Sequence, residues 1–349
     1  MLGIKRKDSC SRYRPDLVAL KCKPVRRQQI HDVQWTSISK TRPFFVPVDP
    51  DNATTIHADV SVKGFINANH VSEYTNVILQ CILCCDSMRR KLLTRKSSDA
   101  MRAVAQASLG TDVQILNSFA VRQLAGGTFV QEIPQGASEF FLHIINSYTD
   151  IRAIVKHELT HTIRCKCCHQ TSVNTEDNII LTLPLSQVEG KRITFHDIIN
   201  TYSEWNTVDD AVCTHCGQKG ILSKSDITTA ENVFIIQLPL FHNKNGKIVD
   251  IKRPNIAAAH TESIHVAQNT YRATSAVLYI DSNSKGKKHY TCYIKHSKKT
   301  FVYIDDDTIQ YKKQWPRGAK DVYVMFFERS NVGNHPMATK IHDTQCTRD

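Results

Sequence analysis

The chain has 349 residues, of which 41% are hydrophobic and 22% charged, and this composition excludes a fibrous or wholly disordered protein. Its 45 Lys and Arg against 33 Asp and Glu give a formal charge of +12. No run reaches the roughly 18 apolar residues that cross a bilayer, and no apolar stretch follows the basic first residues as in a secretion signal. The sequence therefore predicts an intracellular globular protein, cytoplasmic or nuclear or both, without membrane contact.

The first 30 residues carry more than half of the net charge, because nine basic side chains stand there against Asp8 and Asp16. Such an arm can contact nucleic-acid phosphates. A merely solvated extension is the alternative that we favour, because the arm has few aromatic side chains for base stacking. Three prolines between residues 43 and 50 indicate a connector, and residues 331–349 are polar and patternless. We therefore predict a basic extension and linker over 1–60, one domain over 61–330 and a disordered tail over 331–349.

Three segments have the apolar spacing of amphipathic helices. The first has its apolar stripe at Tyr74, Val77, Ile78, Cys81, Cys85, Met88 and Leu92. The second runs from Ala137 to Tyr148, and the third begins after Thr194, a plausible N-cap. Later runs are rich in β-branched and aromatic residues, at 233–240, 271–280, 289–295, 301–304 and 322–327. Helices followed by strands predict an α+β fold with an antiparallel sheet.

Two cysteine pairs form the strongest local signal, Cys165 with Cys168 and Cys213 with Cys216. Two residues between ligands allow one turn to present both thiolates to one ion, and two such turns complete a tetrahedral site for structural Zn²⁺. Cys167 and His215 leave the choice of ligands open, and four unrelated thiols are the alternative.

A second constellation lies near the end of the predicted domain. His289 begins one predicted strand, and Asp305 and Asp306 follow the next. If the two strands pair as a hairpin, a carboxylate can orient the imidazole, as a base that activates a nucleophile requires. On its own the pattern is more typical of a solvated histidine.

Six motifs follow one another between residues 61 and 329. Residues 64–67 with 74–82 resemble G-L-x-N-x-G-N-T-C-Y-x-N-x-x-L-Q-C-L, and 134–140 resembles Q-Q-D-A-x-E-F. Residues 165–172 with 181–185 resemble a first zinc knuckle and its strand, and 213–216 resembles a second knuckle. Residues 234–241 resemble L-I-I-x-L-K-R-F, and 289–291 with 301–309 resemble the G-H-Y-T-A-Y and W-x-x-F-D-D-x-x-V boxes. In this order the six motifs resemble those of the ubiquitin-specific proteases, the papain-like cysteine deubiquitinases.

The resemblance implies a hand-like fold, with a helical thumb, zinc-tipped fingers and a β-rich palm. In family terms His289 is the general base, Asp305 orients it, Asp306 assists, and Asn67 supplies the oxyanion-hole amide. The implied chemistry is hydrolysis at the C-terminal glycine of ubiquitin through an acyl-enzyme.

The nucleophile departs from the family pattern. The family places its Cys five residues after the oxyanion Asn and immediately before the aromatic residue of the helix. Counting from Asn67 gives Ser72, whereas counting back from Tyr74 gives Glu73. Cys81 lies eight residues beyond Glu73, about 12 Å along a helix, too far to act with the histidine.

Three further motif positions also differ from the family pattern. The glycine before the catalytic His is Lys288, the Asp of the Q-Q-D box is Gly136, and the Lys-Arg of the strand box is Pro239-Leu240. We therefore predict a ubiquitin-recognising pseudoenzyme, inactive or very weak as a deubiquitinase. The alternatives are an active thiol-type deubiquitinase, a binder of another ubiquitin-like modifier, and nucleic-acid contact through the basic arm.

Overall fold

The structure is a computed structural model. It describes residues 62–68, 70–95, 99–111, 113–184, 193–239, 241–244, 247–250, 263–281, 288–297, 300–313, 315 and 321–330. The predictions for 1–60 and 331–349 lie outside the described residues. None of the described helices combines the length and apolar character needed to cross a membrane.

The helices come mainly before the strands. The described α-helices are α1 Glu73–Cys84, α2 Asp86–Thr94, α3 Ala100–Leu109, α4 Phe119–Ala125, α5 Ala137–Ser147, α6 Thr149–Val155 and α7 Phe195–Tyr202. A one-turn 3-10 helix spans Gly127–Val130. The predicted helix after Ala137 is confirmed as α5. The helix predicted after Thr194 is confirmed as α7, where Thr194 and Asp197 form a reciprocal capping box.

The first predicted helix is two helices, because Cys85 has extended backbone angles between α1 and α2. The apolar spacing continues across the break, so the pattern did not reveal it. The Glu328 carboxylate accepts hydrogen bonds from the backbone N–H of Asp86 at 3.2 Å and of Ser87 at 2.7 Å. It thereby satisfies the first N–H groups of a new helix.

The strands of the described part of the chain form three sheets. The strands are β1 His157–Cys165, β2 Thr171–Asn178, β3 Leu181–Thr182, β4 Asn206–Val212, β5 Lys219–Ala230, β6 Val233–Gln237, β7 Phe241–Lys244, β8 Lys247–Asp250, β9 Ser263–Val266, β10 Asn269–Asp281, β11 Lys288–Lys295, β12 Phe301–Asp305, β13 Thr308–Lys312 and β14 Val322–Arg329. The large sheet has the order β13-β12-β11-β10-β14-β6-β3, with β9 also paired to β10. A second sheet has the order β2-β1-β5-β4, and β7 pairs with β8. All pairs are antiparallel except β3 with β6, so the predicted α+β class is confirmed.

The large sheet is buried on both faces. Phe326 and Phe327 are consecutive in β14, so their side chains point to opposite faces. The Phe326 ring packs edge-on against Phe141 of α5, with 5.4 Å between the ring centroids. The Phe327 ring packs edge-on against Phe195 of α7 at the same centroid distance. The buried side chains of α1 to α6 belong to the hydrophobic core on one face of this sheet, and those of α7 to the core on the other face. The start of α1 lies beside the end of β12, because Asn76 of α1 donates a hydrogen bond to Asp306.

Candidate active site and metal cluster

The predicted histidine and aspartate lie together. Strand β11 pairs with β12 antiparallel, with Cys292 opposite Ile304, and the connection brings His289 next to Asp305. His289 Nε2 lies 3.3 Å from Asp305 Oδ2, and both side chains are partly exposed. The buried Nδ1 of His289 has no hydrogen-bond partner among the described residues.

Asp306 is held by two amides. Its Oδ2 accepts a hydrogen bond from Asn67 Nδ2 at 2.7 Å, and its Oδ1 accepts one from Asn76 Nδ2 at 2.8 Å. Burial raises the pKa of this carboxyl, while the two amide hydrogen bonds oppose the rise. Asn76 in turn accepts from Ser118 Oγ at 2.6 Å. Sequence reasoning did not assign a role to Asn76, although the Y-x-N spacing of the first box contained the signal.

Gly64 permits the contact between the Asn67 segment and the Asp306 turn. A Cβ on Gly64 would lie 2.5 Å from Asp307 Cα and 2.7 Å from the Asp306 carbonyl oxygen. The next residue, Phe65, donates its N–H to that carbonyl at 2.9 Å. The Gly of the first box therefore allows two backbones to touch.

The extra residue between Asn67 and α1 is absorbed by a turn. His70 donates its N–H to the Asn67 carbonyl at 3.1 Å and has φ of 54°, in the left-handed region. Helix α1 then begins at Glu73 with Ser72 as its N-cap residue. Counting back from Tyr74 therefore gives the first residue of the helix, which is Glu73.

Ser72 is turned into the protein. Its side chain is buried, its Oγ accepts a hydrogen bond from Arg122 Nη1 at 2.8 Å, and its N–H donates to Asn67 Oδ1 at 2.9 Å. Arg122 is buried too, and its other donors bind the carbonyls of Phe129 at 3.1 Å and Gln131 at 2.9 Å. Sequence reasoning missed Arg122, because nothing in its local pattern distinguishes it from a surface arginine.

Glu73 stands in the electrostatic field of the predicted catalytic residues. Partial burial raises the pKa of its carboxyl to about 7, with a further rise from Asp306 and Asp305 and a lowering from His289. The charges of these three residues can act on Glu73 only because the start of α1 faces the β12–β13 turn. The structure thus brings Asn67, His289, Asp305 and Asp306 together with Glu73, whereas Ser72 points away.

The four predicted zinc ligands converge at one end of the β2-β1-β5-β4 sheet. Cys165, Cys168, Cys213 and Cys216 have Sγ atoms within 4.8 Å of one another, with 3.6 Å between Cys165 and Cys216 and 3.8 Å between Cys168 and Cys213. Backbone N–H groups of Cys168 and then Cys167 lower the pKa of the Cys165 thiol. Four thiols at these separations fit one tetrahedral metal ion. The Cys167 side chain is exposed and outside the cluster.

The comparisons agree with this geometry. The sequence model of the ubiquitin carboxyl-terminal hydrolase family matches residues 69–316. The structure resembles the SAGA DUB module Ubp8/Sgf11/Sus1/Sgf73 bound to monoubiquitin, with a TM-score of 0.66 and 15% identity over 80% of this chain and 72% of that chain. It also resembles the yeast SAGA DUBm with an Sgf73 mutant, with a TM-score of 0.62 and 15% identity over 80% of this chain and 71% of that chain.

A third similar structure is the SAGA module bound to ubiquitin aldehyde, with a TM-score of 0.61 and 14% identity over 80% of this chain and 72% of that chain. At such identities the structural likeness shows the fold. No curated protein sequence matches the chain. Because the family match spans more than two thirds of the 349 residues, the chain belongs to the ubiquitin carboxyl-terminal hydrolase family, the ubiquitin-specific proteases.

Proposed function

We propose that this chain recognises ubiquitin and that it hydrolyses ubiquitin conjugates very weakly or not at all. The observation that carries the proposal is that Glu73 begins α1, at the position that the count back from Tyr74 gives for the family's cysteine. A carboxylate does not form the acyl-enzyme that a thiolate forms, and a serine needs an adjacent base to be activated. Ser72 does not meet that need, because its Oγ faces Arg122 and not His289.

The described cysteines support the same conclusion. Cys81, Cys85 and Cys292 are fully buried, and burial raises the pKa of the Cys81 and Cys85 thiols well above the ordinary value. A buried neutral thiol is a poor nucleophile. Among the described residues, no cysteine stands beside His289 in place of Glu73.

We assign to Asn67, His289, Asp305 and Asp306 the positions of a remnant catalytic group. Asn67 would present its amide near the carbonyl of the bound tail, and His289 would be oriented by Asp305. The hydrogen bonds from Asn67 and Asn76 to Asp306 keep this group assembled without a nucleophile. An assembled site can still bind the tail, because binding and turnover are separate requirements.

Ubiquitin is the proposed ligand because of the fold. Two of the similar SAGA modules are bound to monoubiquitin and to ubiquitin aldehyde. A structural Zn²⁺ held by the cysteine cluster would fix the end of the β2-β1-β5-β4 sheet as part of the binding surface. Where the family has the Asp of its Q-Q-D box this chain has Gly136, and the Glu139 carboxylate occupies the space that a side chain on Gly136 would take.

Calorimetric titration of the full chain with ubiquitin and a panel of ubiquitin-like modifiers tests the recognition. We expect saturable heat with ubiquitin and none with the other modifiers. Saturable heat with another modifier and none with ubiquitin would show that the ligand is that modifier. Absence of heat with every member of the panel contradicts the proposal.

A further inference from the structure

Three carboxylates surround the place where a bound tail would end. Two of them have polar partners: Asp305 Oδ2 lies 3.3 Å from His289 Nε2, and Asp306 accepts hydrogen bonds from two amides. In the described part of the chain, the Glu73 carboxylate has no hydrogen-bond partner. Its charge therefore remains available to act on a ligand.

The start of a helix normally attracts an anion, because its unpaired N–H groups carry partial positive charge. In α1 this position is taken by Glu73, the acidic residue of the first turn. The nearby guanidinium of Arg122 is buried behind Ser72, and its donors are directed to Ser72 and two carbonyls. Of the charged groups facing Glu73, His289 is the one that can become positive.

We propose that this site prefers ubiquitin whose C-terminal carboxyl is joined to an amine over ubiquitin with a free C-terminal carboxylate, and that Glu73 sets this preference. The inference rests on the proposed recognition of ubiquitin. A tail that reaches Asn67 puts its terminal carbonyl beside the start of α1. In a conjugate that carbonyl belongs to a neutral amide, whereas in free ubiquitin it belongs to an anion that Glu73 repels.

The size of the effect follows from Coulomb's law. Two charges about 4 Å apart repel by about 1 kcal/mol in water and more in a partly buried cleft. The preference should therefore be at least about fivefold in affinity, which is about 1 kcal/mol converted at 1.4 kcal/mol per tenfold.

The preference should depend on pH in a defined direction. The pKa of Glu73 is about 7, so its carboxylate is mostly neutral at pH 6 and mostly charged at pH 8. The preference should therefore grow between pH 6 and pH 8. An added anion raises the pKa of Glu73 further, so binding of free ubiquitin should take up a proton, visible as a dependence of the heat on the buffer.

The experiment compares free ubiquitin with ubiquitin carrying a C-terminal carboxamide, titrated into the full chain at pH 6, 7 and 8. We expect the carboxamide to bind at least about fivefold more tightly at pH 8. Glu73→Gln should bind both forms equally, and Glu73→Asp should keep the preference. Glu132→Gln, at an exposed position, is the matched control and should behave as the native chain.

Equal affinities in the native chain at pH 8 would overturn the inference. So would a preference that survives in a folded Glu73→Gln variant, whose thermal unfolding is measured in parallel. If neither form binds to the native chain or to any variant, the proposed recognition of ubiquitin fails, and this inference fails with it. Binding without preference is therefore distinguishable from absence of binding.

Discussion

At the scale of single residues, close contacts between backbones position the site. Gly64 lies against the Asp306 turn with no space for a side chain. The first box of the family identified this glycine, and the pairing of His289 with Asp305 followed from the predicted hairpin. The Y-x-N spacing of the first box marked Asn76, but local pattern could not predict its partner, because Asp306 lies 230 residues away in the chain.

We expect Gly64→Ala to lower the free energy of unfolding by about 1–3 kcal/mol, because the new methyl group forces the two backbones apart. Gly110→Ala is the matched control, since the nearest atoms to a Cβ there are 3.8 Å away. Urea unfolding of both variants measures the difference. Equal stability of the two would show that the Asp306 turn moves without cost.

Arg122 supports the start of α1 through Ser72 and two carbonyls. Arg122→Met leaves three acceptors without their donor, and it also removes the cost of burying the charge, so we expect a net loss of about 2 kcal/mol. Arg152→Met, at an exposed position of α6, should change stability by less than about 0.5 kcal/mol. An Arg122→Met variant as stable as the native chain would contradict the supporting role.

At the scale of elements, periodicity predicted the faces of helices better than their ends. The stripe from Tyr74 to Leu92 faces the core throughout, but the helix breaks at Cys85. The break depends on the carboxylate of Glu328, which caps α2 from the last strand. A local sequence pattern cannot predict a capping residue that lies 242 residues away in the chain.

The spacing of the two cysteine pairs predicted the ligands of the metal cluster, but it left Cys167 and His215 as alternative ligands. We expect the purified chain to hold one Zn²⁺ and Cys213→Ser to lose it, because a tetrahedral site needs all four thiolates. Cys167→Ser should keep the metal, since Cys167 lies outside the cluster. Metal content by mass spectrometry and the unfolding temperature measure both effects. Loss of zinc in Cys167→Ser would mean a different ligand set.

At the scale of the whole molecule, two hydrophobic cores pack on opposite faces of the large sheet. His157 is the first residue of β1, in the second sheet. Its ring meets Phe234 edge-on at 5.1 Å, and neither ring nitrogen has a hydrogen-bond partner among the described residues. Burial lowers the pKa of His157 to about 4, and the charge of Asp177 opposes this shift. The folded state therefore holds this histidine neutral where the unfolded chain protonates it.

Between pH 6.5 and pH 4 the unfolded state binds the proton that folded His157 refuses, so this residue destabilises the fold as the pH falls. We expect the stability of His157→Phe relative to the native chain to increase by up to about 3 kcal/mol from pH 7 to pH 4. Urea unfolding at both values measures it. A pH-independent difference between the two proteins would show that His157 is protonated in the fold.

The central claim is that the chain keeps the family fold and a remnant catalytic group, while Glu73 stands at the position of the family's nucleophilic cysteine. Ubiquitin carrying a C-terminal electrophile tests it directly, applied to the native chain, Ser72→Cys and Glu73→Cys. We predict covalent labelling of Glu73→Cys alone, because only that thiol would face His289 and Asp305. Labelling of the native chain, or of Ser72→Cys in place of Glu73→Cys, would contradict the account.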